Sequence, residues 1–148
     1  MNAGPDTPGP TGAPPALVID TNWVLDLCVF HDPRAQPLRT ALERGAWRWL
    51  TCPGMRSEWL RVLDYPTVQR RLAQTADGRA QAQAWFDRHA TPVPAAPACG
   101  LRCSDPDDQR FIDLAVQHRA TLLSKDRAVL ALRRRLERLG LRVQAHWS

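Results

Sequence analysis

The stretch that decides the fold is Leu17-Val-Ile-Asp-Thr-Asn22, in which three apolar residues lead directly to a carboxylate. A short apolar run without alternation is typical of a strand that is buried on both faces, as in a parallel sheet. Thr21 and Asn22 are good helix-capping residues, and a mostly apolar segment follows over 23–30. The sequence therefore predicts a strand, a tight turn and a helix, with Asp20 at the carboxyl end of the strand, where open α/β sheets place their ligand crevices.

Asp20 has two interpretations when it is considered alone. A carboxylate at the end of a buried strand is unfavourable unless its charge is compensated. Hydrogen bonds from nearby backbone N–H groups would be one form of compensation, and a bound cation would be another. The rest of the chain must decide between them.

Composition favours one globular domain with a mild positive charge. The chain has 148 residues, 44% of them hydrophobic, and a net charge of +5, so an anionic partner is compatible but not required. Residues 1–15 are rich in Pro and Gly and are predicted to be a disordered tail before a single domain over 16–148.

No apolar run is long enough to predict a membrane span. No secretory segment is visible and the four cysteines have no zinc-ligand spacing, so we expect reduced thiols in the cytoplasm.

Five segments have the character of short strands, and helical patterns separate them. This alternation, with short connecting loops, predicts a three-layer α/β/α sandwich around a central, mostly parallel sheet of four or five strands. The strands are predicted over 16–19, 47–51, 121–124 and 141–145, with a short one near Val93.

Four acidic residues are predicted to meet at one rim of this sheet. Asp20 and Asp126 each follow a strand, and Asp108 lies in the first turn of a helix that begins at the sequence Asp105-Pro-Asp-Asp108. These positions share one edge in a right-handed parallel sheet, and Glu58 can join them if its helix runs along the same rim. Each acid also has a structural interpretation, because Asp126 could cap a helix, Asp108 could complement a helix dipole, and Glu58 could be solvated.

The convergence of four carboxylates favours a metal site over four separate structural roles. Carboxylates that lie close together raise one another's pKa, and a divalent cation removes this penalty. Mg²⁺ and Mn²⁺ prefer oxygen ligands and often bind one or two carboxylates, waters and substrate phosphate. Such a site suits hydrolysis of a phosphodiester.

Four short motifs in this order resemble the PIN-domain family, over about residues 16–145. The closest resemblance is to the bacterial branch of toxin components of toxin–antitoxin systems, the VapC-like toxins. The matching segments are Leu17-Val-Ile-Asp-Thr-Asn22, Ser57-Glu58, Asp105-Pro-Asp-Asp-Gln-Arg-Phe-Ile-Asp-Leu-Ala115 and Leu122-Leu-Ser-Lys-Asp-Arg127.

The resemblance implies a Mg²⁺- or Mn²⁺-dependent endoribonuclease with RNA as its substrate, an antitoxin protein as a partner and a homodimeric assembly. It implies that the metal-binding and catalytic acids are Asp20, Glu58, Asp108 and Asp126. Asn22 and Ser124, with Thr21 beside them, match polar positions that orient this cluster. Asp105 is assigned to helix capping and Asp107 to the helix dipole. Val129 stands where relatives often carry another acid, which leaves one metal or two as open alternatives.

Basic residues are concentrated near the carboxyl end of the chain. Lys125 and Arg127 flank Asp126 and are predicted to contact substrate phosphate. Arg133, Arg134, Arg135 and Arg138 lie on one predicted helix, where an RNA-binding surface and a solvated helix face are equally good interpretations.

Two other functions remain as alternatives. The domain could be a catalytically silent PIN-like module that binds RNA or protein, although such a module has no need for four repelling carboxylates. A phosphoacceptor receiver domain shares a doubly wound sheet but needs an acidic pair after its first strand. Thr21 and Asn22 follow Asp20 instead, which argues against it.

Overall fold

A sheet of five parallel strands forms the centre of the computed structural model, which describes residues 12–147. Its strands are β1 (Ala16–Ile19), β2 (Arg48–Thr51), β3 (Ala90–Pro92), β4 (Thr121–Leu123) and β5 (Val143–Gln144). They are ordered β3-β2-β1-β4-β5, and every pairing is parallel. The predicted fold is confirmed, although β4 and β5 are shorter than expected. The predicted tail over 1–15 lies mostly outside the described residues.

Helices cover both faces of the sheet. They are α1 (Thr21–Leu25), α2 (Gln36–Glu43), α3 (Pro53–Val62), α4 (Pro66–Leu72), α5 (Gly78–His89), α6 (Gln109–His118), α7 (Arg127–Leu130) and α8 (Arg133–Arg138). Side chains of β1 alternate between the two cores that result. Leu17 and Ile19 pack with Trp59 of α3 on one side, and Val18 packs with Ile112 of α6 on the other. No helix in the described part of the chain is long and apolar enough to cross a membrane.

The order of the strands places a crevice beside β1. The chain moves from β1 to β2 and β3 on one side and returns to β4 and β5 on the other. Loops that leave β1 and β4 therefore diverge from neighbouring strands, and this is the point at which open α/β sheets form ligand crevices.

The start of α1 differs from the prediction that Thr21 and Asn22 cap it. Asp20 is the N-cap, since it has extended backbone angles and its Oδ1 accepts a hydrogen bond from Trp23 N. Thr21 and Asn22 are already helical. After α1 the chain continues as a π-helical turn, Asp26–Phe30. This turn ends at His31, whose backbone angles are in the left-handed region.

Candidate active site

The four predicted acids line one pocket at the carboxyl end of the sheet. Asp20 follows β1, Asp126 follows β4, Asp108 immediately precedes α6, and Glu58 lies on α3. The pocket has a volume of about 290 Å³, and Thr21 and Asn22 also line it. The structure thus brings together the carboxylates that the topology predicts to meet.

Asp20 is buried and held by three hydrogen bonds. Its Oδ1 accepts from Trp23 N at 2.9 Å, and its Oδ2 accepts from Ser124 Oγ at 2.7 Å and from Lys125 N at 3.0 Å. Burial raises the pKa of Asp20, and these hydrogen bonds oppose that rise because they stabilise the charged form. Backbone N–H groups therefore compensate part of the charge of Asp20, as one of its two interpretations predicts, and the hydroxyl of Ser124 adds a third hydrogen bond.

Ser124 connects the acids that follow β1 and β4. It is fully buried, and its Oγ donates to Asp20 while accepting a hydrogen bond from Asp126 N at 3.1 Å. The orienting role that the resemblance implies for Ser124 stays a prediction. The hydroxyl fixes the turn after β4 relative to the end of β1.

Asp105, Asp108 and Asp126 form the tightest acidic cluster among the described residues. One carboxylate oxygen from each lies within 4.8 Å of the others. Asp108 is 8% exposed, and its Oδ2 has no hydrogen-bond partner in the structure. Burial, followed by the hydrogen bond and negative charge of Asp126, raises the pKa of Asp108 to about 7. Asp108 therefore lines the pocket with a buried carboxylate oxygen that no protein group satisfies, and a proton or a cation would stabilise it.

Helix capping does not account for Asp126 but does account for part of Asp105. Asp126 occupies the N-cap position of α7, yet its side chain accepts no capping hydrogen bond. Asp105 caps the 3₁₀ turn Pro106–Asp108 by accepting from Asp107 N at 3.0 Å. The capping role predicted for Asp105 is confirmed, and its place in the cluster was missed. The sequence spacing could have indicated this, because Asp105 and Asp108 are three residues apart. Residues at that spacing lie on the same side of a 3₁₀ turn, which has three residues per turn.

Glu58 lies between a hydroxyl and a guanidinium. Its Oε1 accepts from Thr21 Oγ1 at 2.7 Å, whereas its buried Oε2 has no hydrogen-bond partner and lies 3.7 Å from Arg110 Nη1. Arg110 also donates to the carbonyl of Gly54 at 2.6 Å. Sequence reasoning missed Arg110, which places one positive charge beside the acids. The hydrogen bond from Thr21 holds one oxygen of Glu58, and the orienting role of Thr21 in the site stays a prediction.

The side chain of Lys125, which is predicted to contact substrate phosphate, pairs with Asp26 in this structure. Its Nζ lies 2.5 Å from Asp26 Oδ2 and 5.0 Å from the centre of the Trp23 ring. Neither Lys125 nor the exposed Arg127 is among the described residues that line the pocket. Trp23 is a core residue, and its indole N–H donates to the carbonyl of Ala145 at 3.3 Å.

The donors at this site are those that a hard divalent cation prefers. Carboxylate oxygens predominate, two of them are buried without a hydrogen-bond partner, and three acids approach one another closely. Mg²⁺ and Mn²⁺ bind such oxygens and compensate their repulsion. Asp105, Asp108 and Asp126 could hold the ion directly, with Asp20 and Glu58 on the adjoining wall.

Comparison with known proteins identifies a family and solved structures with a similar fold. A family model described as PIN domain matches residues 16–128. A solved structure described as VapBC2 from Rickettsia felis, bound to a DNA fragment from its promoter, is similar with a TM-score of 0.52 and 13% identity. That match covers 87% of this chain and 97% of the other, and at this identity it shows a shared fold. A search among curated proteins found no match.

Proposed function

Because the chain belongs to the PIN domain family, we propose that it is an endoribonuclease that uses Mg²⁺ or Mn²⁺ to hydrolyse phosphodiester bonds of RNA. The observation that carries the proposal is the pocket in which Asp20, Glu58, Asp108 and Asp126 converge. The unpartnered Oδ2 of Asp108 supports a cation there, since a buried oxygen without a partner is unfavourable.

The acids form two groups: some are held by hydrogen bonds from the protein, and the others have carboxylate oxygens that could bind the metal ion. Ser124 and two backbone N–H groups fix Asp20, and Thr21 fixes one oxygen of Glu58. Asp108, Asp126 and Asp105 would supply the remaining oxygens. When bound, the metal would supply a more acidic water and stabilise charge on the phosphate. The protein would contribute fixed ligand positions, so that little reorganisation is needed during the reaction.

Hydrolysis of a single-stranded RNA in the presence of Mg²⁺ or Mn²⁺ tests this function. We expect the wild-type protein to hydrolyse the RNA and the Asp20→Asn variant to be inactive. Asp126→Asn should also be inactive, and this substitution removes no capping hydrogen bond. Asp64→Asn is a matched control, because Asp64 is an exposed acid outside the pocket that pairs with Arg79. Equal hydrolysis by all four proteins would refute the proposal. Absence of both hydrolysis and Mn²⁺ binding would favour a catalytically silent PIN-like module that binds RNA or protein.

The same proposal extends to a toxin of a cytoplasmic toxin–antitoxin system. Its support is the resemblance of the motifs to VapC-like toxins and the structural similarity to VapBC2. An antitoxin protein would be the partner, and a homodimer the expected assembly. Expression of the chain should arrest growth of a bacterial host, and Asp126→Asn should relieve the arrest. Unimpaired growth at an equal protein level would contradict the toxin assignment and leave the ribonuclease assignment to its own assay.

A further inference from the structure

One face of α3 and the turn after it lines the pocket with three different kinds of side chain. Glu58, Arg61, Val62 and Tyr65 are spaced as i, i+3, i+4 and i+7, and all four line the pocket. The spacing continues past the end of α3 because Tyr65 N donates to the carbonyl of Val62 at 3.0 Å. A carboxylate, a guanidinium and an aromatic ring therefore follow one another along the pocket wall.

Tyr65 is an aromatic side chain that the fold leaves exposed. It is 49% exposed, and Leu139 is the other large hydrophobic residue in the described part of the chain that is similarly exposed. The Trp residues of the core pack on other rings or on cations. No such ring or cation covers Tyr65 among residues 12–147. Its ring is therefore available to a planar ligand at the pocket.

Arg61 is the cation at the pocket that has no protein partner within the described chain. It is exposed, and no ion pair or hydrogen bond holds its guanidinium. The neighbouring cations differ, because Arg110 bonds the carbonyl of Gly54 and Lys125 pairs with Asp26. An unpaired guanidinium beside several carboxylates suits an incoming phosphate, which it can bind through two parallel hydrogen bonds.

We propose that Arg61 and Tyr65 form a subsite for one unpaired nucleotide beside the scissile phosphate. Arg61 contacts a backbone phosphate, and Tyr65 stacks on the base. Both residues act as positioning residues, and the inference rests on the proposed ribonuclease function. A base within a duplex has no free face for Tyr65, so the subsite selects RNA that is single-stranded at this nucleotide.

The sequence offers a direct probe, since Tyr65 is the only tyrosine of the chain. Incorporation of 3-fluorotyrosine into the full chain would give one fluorine NMR resonance. A ten-nucleotide single-stranded RNA of mixed sequence is added in EDTA, so that hydrolysis does not consume it. We expect the resonance to shift and saturate with this RNA, and to move much less with the blunt duplex of the same sequence.

Matched variants separate stacking from packing and charge. Tyr65→Phe should retain affinity for the single strand, whereas Tyr65→Leu should weaken it about five-fold or more. Leu139→Ala is the control for loss of an equally exposed hydrophobic side chain. Arg61→Gln should lower the slope of log affinity against log salt by about 0.7, the value for one phosphate contact on a single strand. Arg88→Gln removes the same charge from an exposed position on α5 outside the pocket and should leave that slope unchanged.

The outcomes distinguish this subsite from the ribonuclease function. Hydrolysis with Mg²⁺ together with an unmoved Tyr65 resonance would overturn the subsite and leave the ribonuclease intact. A shifted resonance and the expected variant affinities without hydrolysis would support binding of one unpaired nucleotide by Arg61 and Tyr65 and would refute the ribonuclease. If Tyr65→Leu binds as tightly as the wild type, or if no RNA binds in EDTA, the subsite is wrong.

Discussion

Proton competition at Asp108 should make metal binding strongly dependent on pH near neutrality. Burial and the neighbouring Asp126 raise the pKa of Asp108 to about 7 in the metal-free protein. A ligand carboxylate must be deprotonated to bind a cation. Below pH 7 the ion must therefore displace a proton from Asp108, and above pH 7 it need not.

The size of the effect follows from the ionised fraction of Asp108. With a pKa of about 7, about 1% of Asp108 is ionised at pH 5 and about 91% at pH 8. The apparent Mn²⁺ affinity should therefore be about 90-fold weaker at pH 5 than at pH 8. Burial also raises the pKa of Asp20, so its contribution has the same sign and can only steepen the dependence.

Stability of the metal-free protein should have the opposite dependence on pH at this site. The folded protein holds a proton on Asp108 over a range in which the unfolded chain, with a carboxyl pKa near 3.8, has lost it. The contribution of Asp108 is fully present below this lower value and is lost as the pH rises to about 7. Mn²⁺ should compensate the loss, so the rise in melting temperature caused by Mn²⁺ should grow with pH.

Isothermal titration with Mn²⁺ between pH 5 and pH 8 measures the affinity. Buffers with different ionisation enthalpies give the number of protons released. For Asp108 we expect the release of about one proton per ion at pH 5, about half of one at pH 7 and about a tenth of one at pH 8. Asp64→Asn, which removes an exposed acid outside the pocket, should keep the dependence. An affinity that is constant over this range, or that changes only below pH 5, would show that Asp108 does not bind the ion.

Two further predictions concern the surroundings of the metal site. Asp105→Asn keeps a capping side chain but removes a carboxylate from the cluster, so it should weaken Mn²⁺ binding about ten-fold or more. Asp64→Asn, at an acid outside the pocket, should not weaken it, and an equal affinity of the two variants in the titration would limit Asp105 to capping. Asp26→Asn and Lys125→Met should each lower the free energy of unfolding, measured in urea, by up to about 1 kcal/mol. The double variant should lose no more than the larger of the two single losses. Additive losses would show that the ion pair, with its 2.5 Å separation, does not contribute to stability.

Much of the fold was predictable because local sequence and topology point to the same structure. Leu17–Ile19 and Leu122–Leu123 are apolar at successive positions, and both segments are buried strands of the sheet. Once these strands are parallel, their carboxyl ends must lie at one edge. Asp20 and Asp126 therefore meet without any detailed knowledge of side-chain packing.

Side-chain direction was not predictable in the same way. Lys125 is adjacent to Asp126 in sequence, but its Nζ pairs with Asp26, which is 99 positions away. The capping role predicted for Asp105 does not describe all of its contacts, because one carboxylate can cap a turn and also face a cluster. The start of α1 was displaced by two residues because Asp20 itself caps the helix. Each of these differences depends on a partner or on backbone angles that composition does not specify.

The contrast between Asp20 and Asp108 separates structure from function at this site. Both are buried, but both oxygens of Asp20 accept hydrogen bonds, whereas Oδ2 of Asp108 accepts none. Leaving a buried acceptor unsatisfied costs about 1–3 kcal/mol. An acid with only a structural role would relieve that cost by turning toward an N–H group, as Asp20 does. Asp108 instead faces Asp105 and Asp126, and the resulting repulsion is removed when a cation or a proton binds. Replacement of the Asp108 proton by Mn²⁺ near pH 7 would therefore be direct evidence that this acidic cluster is a metal site.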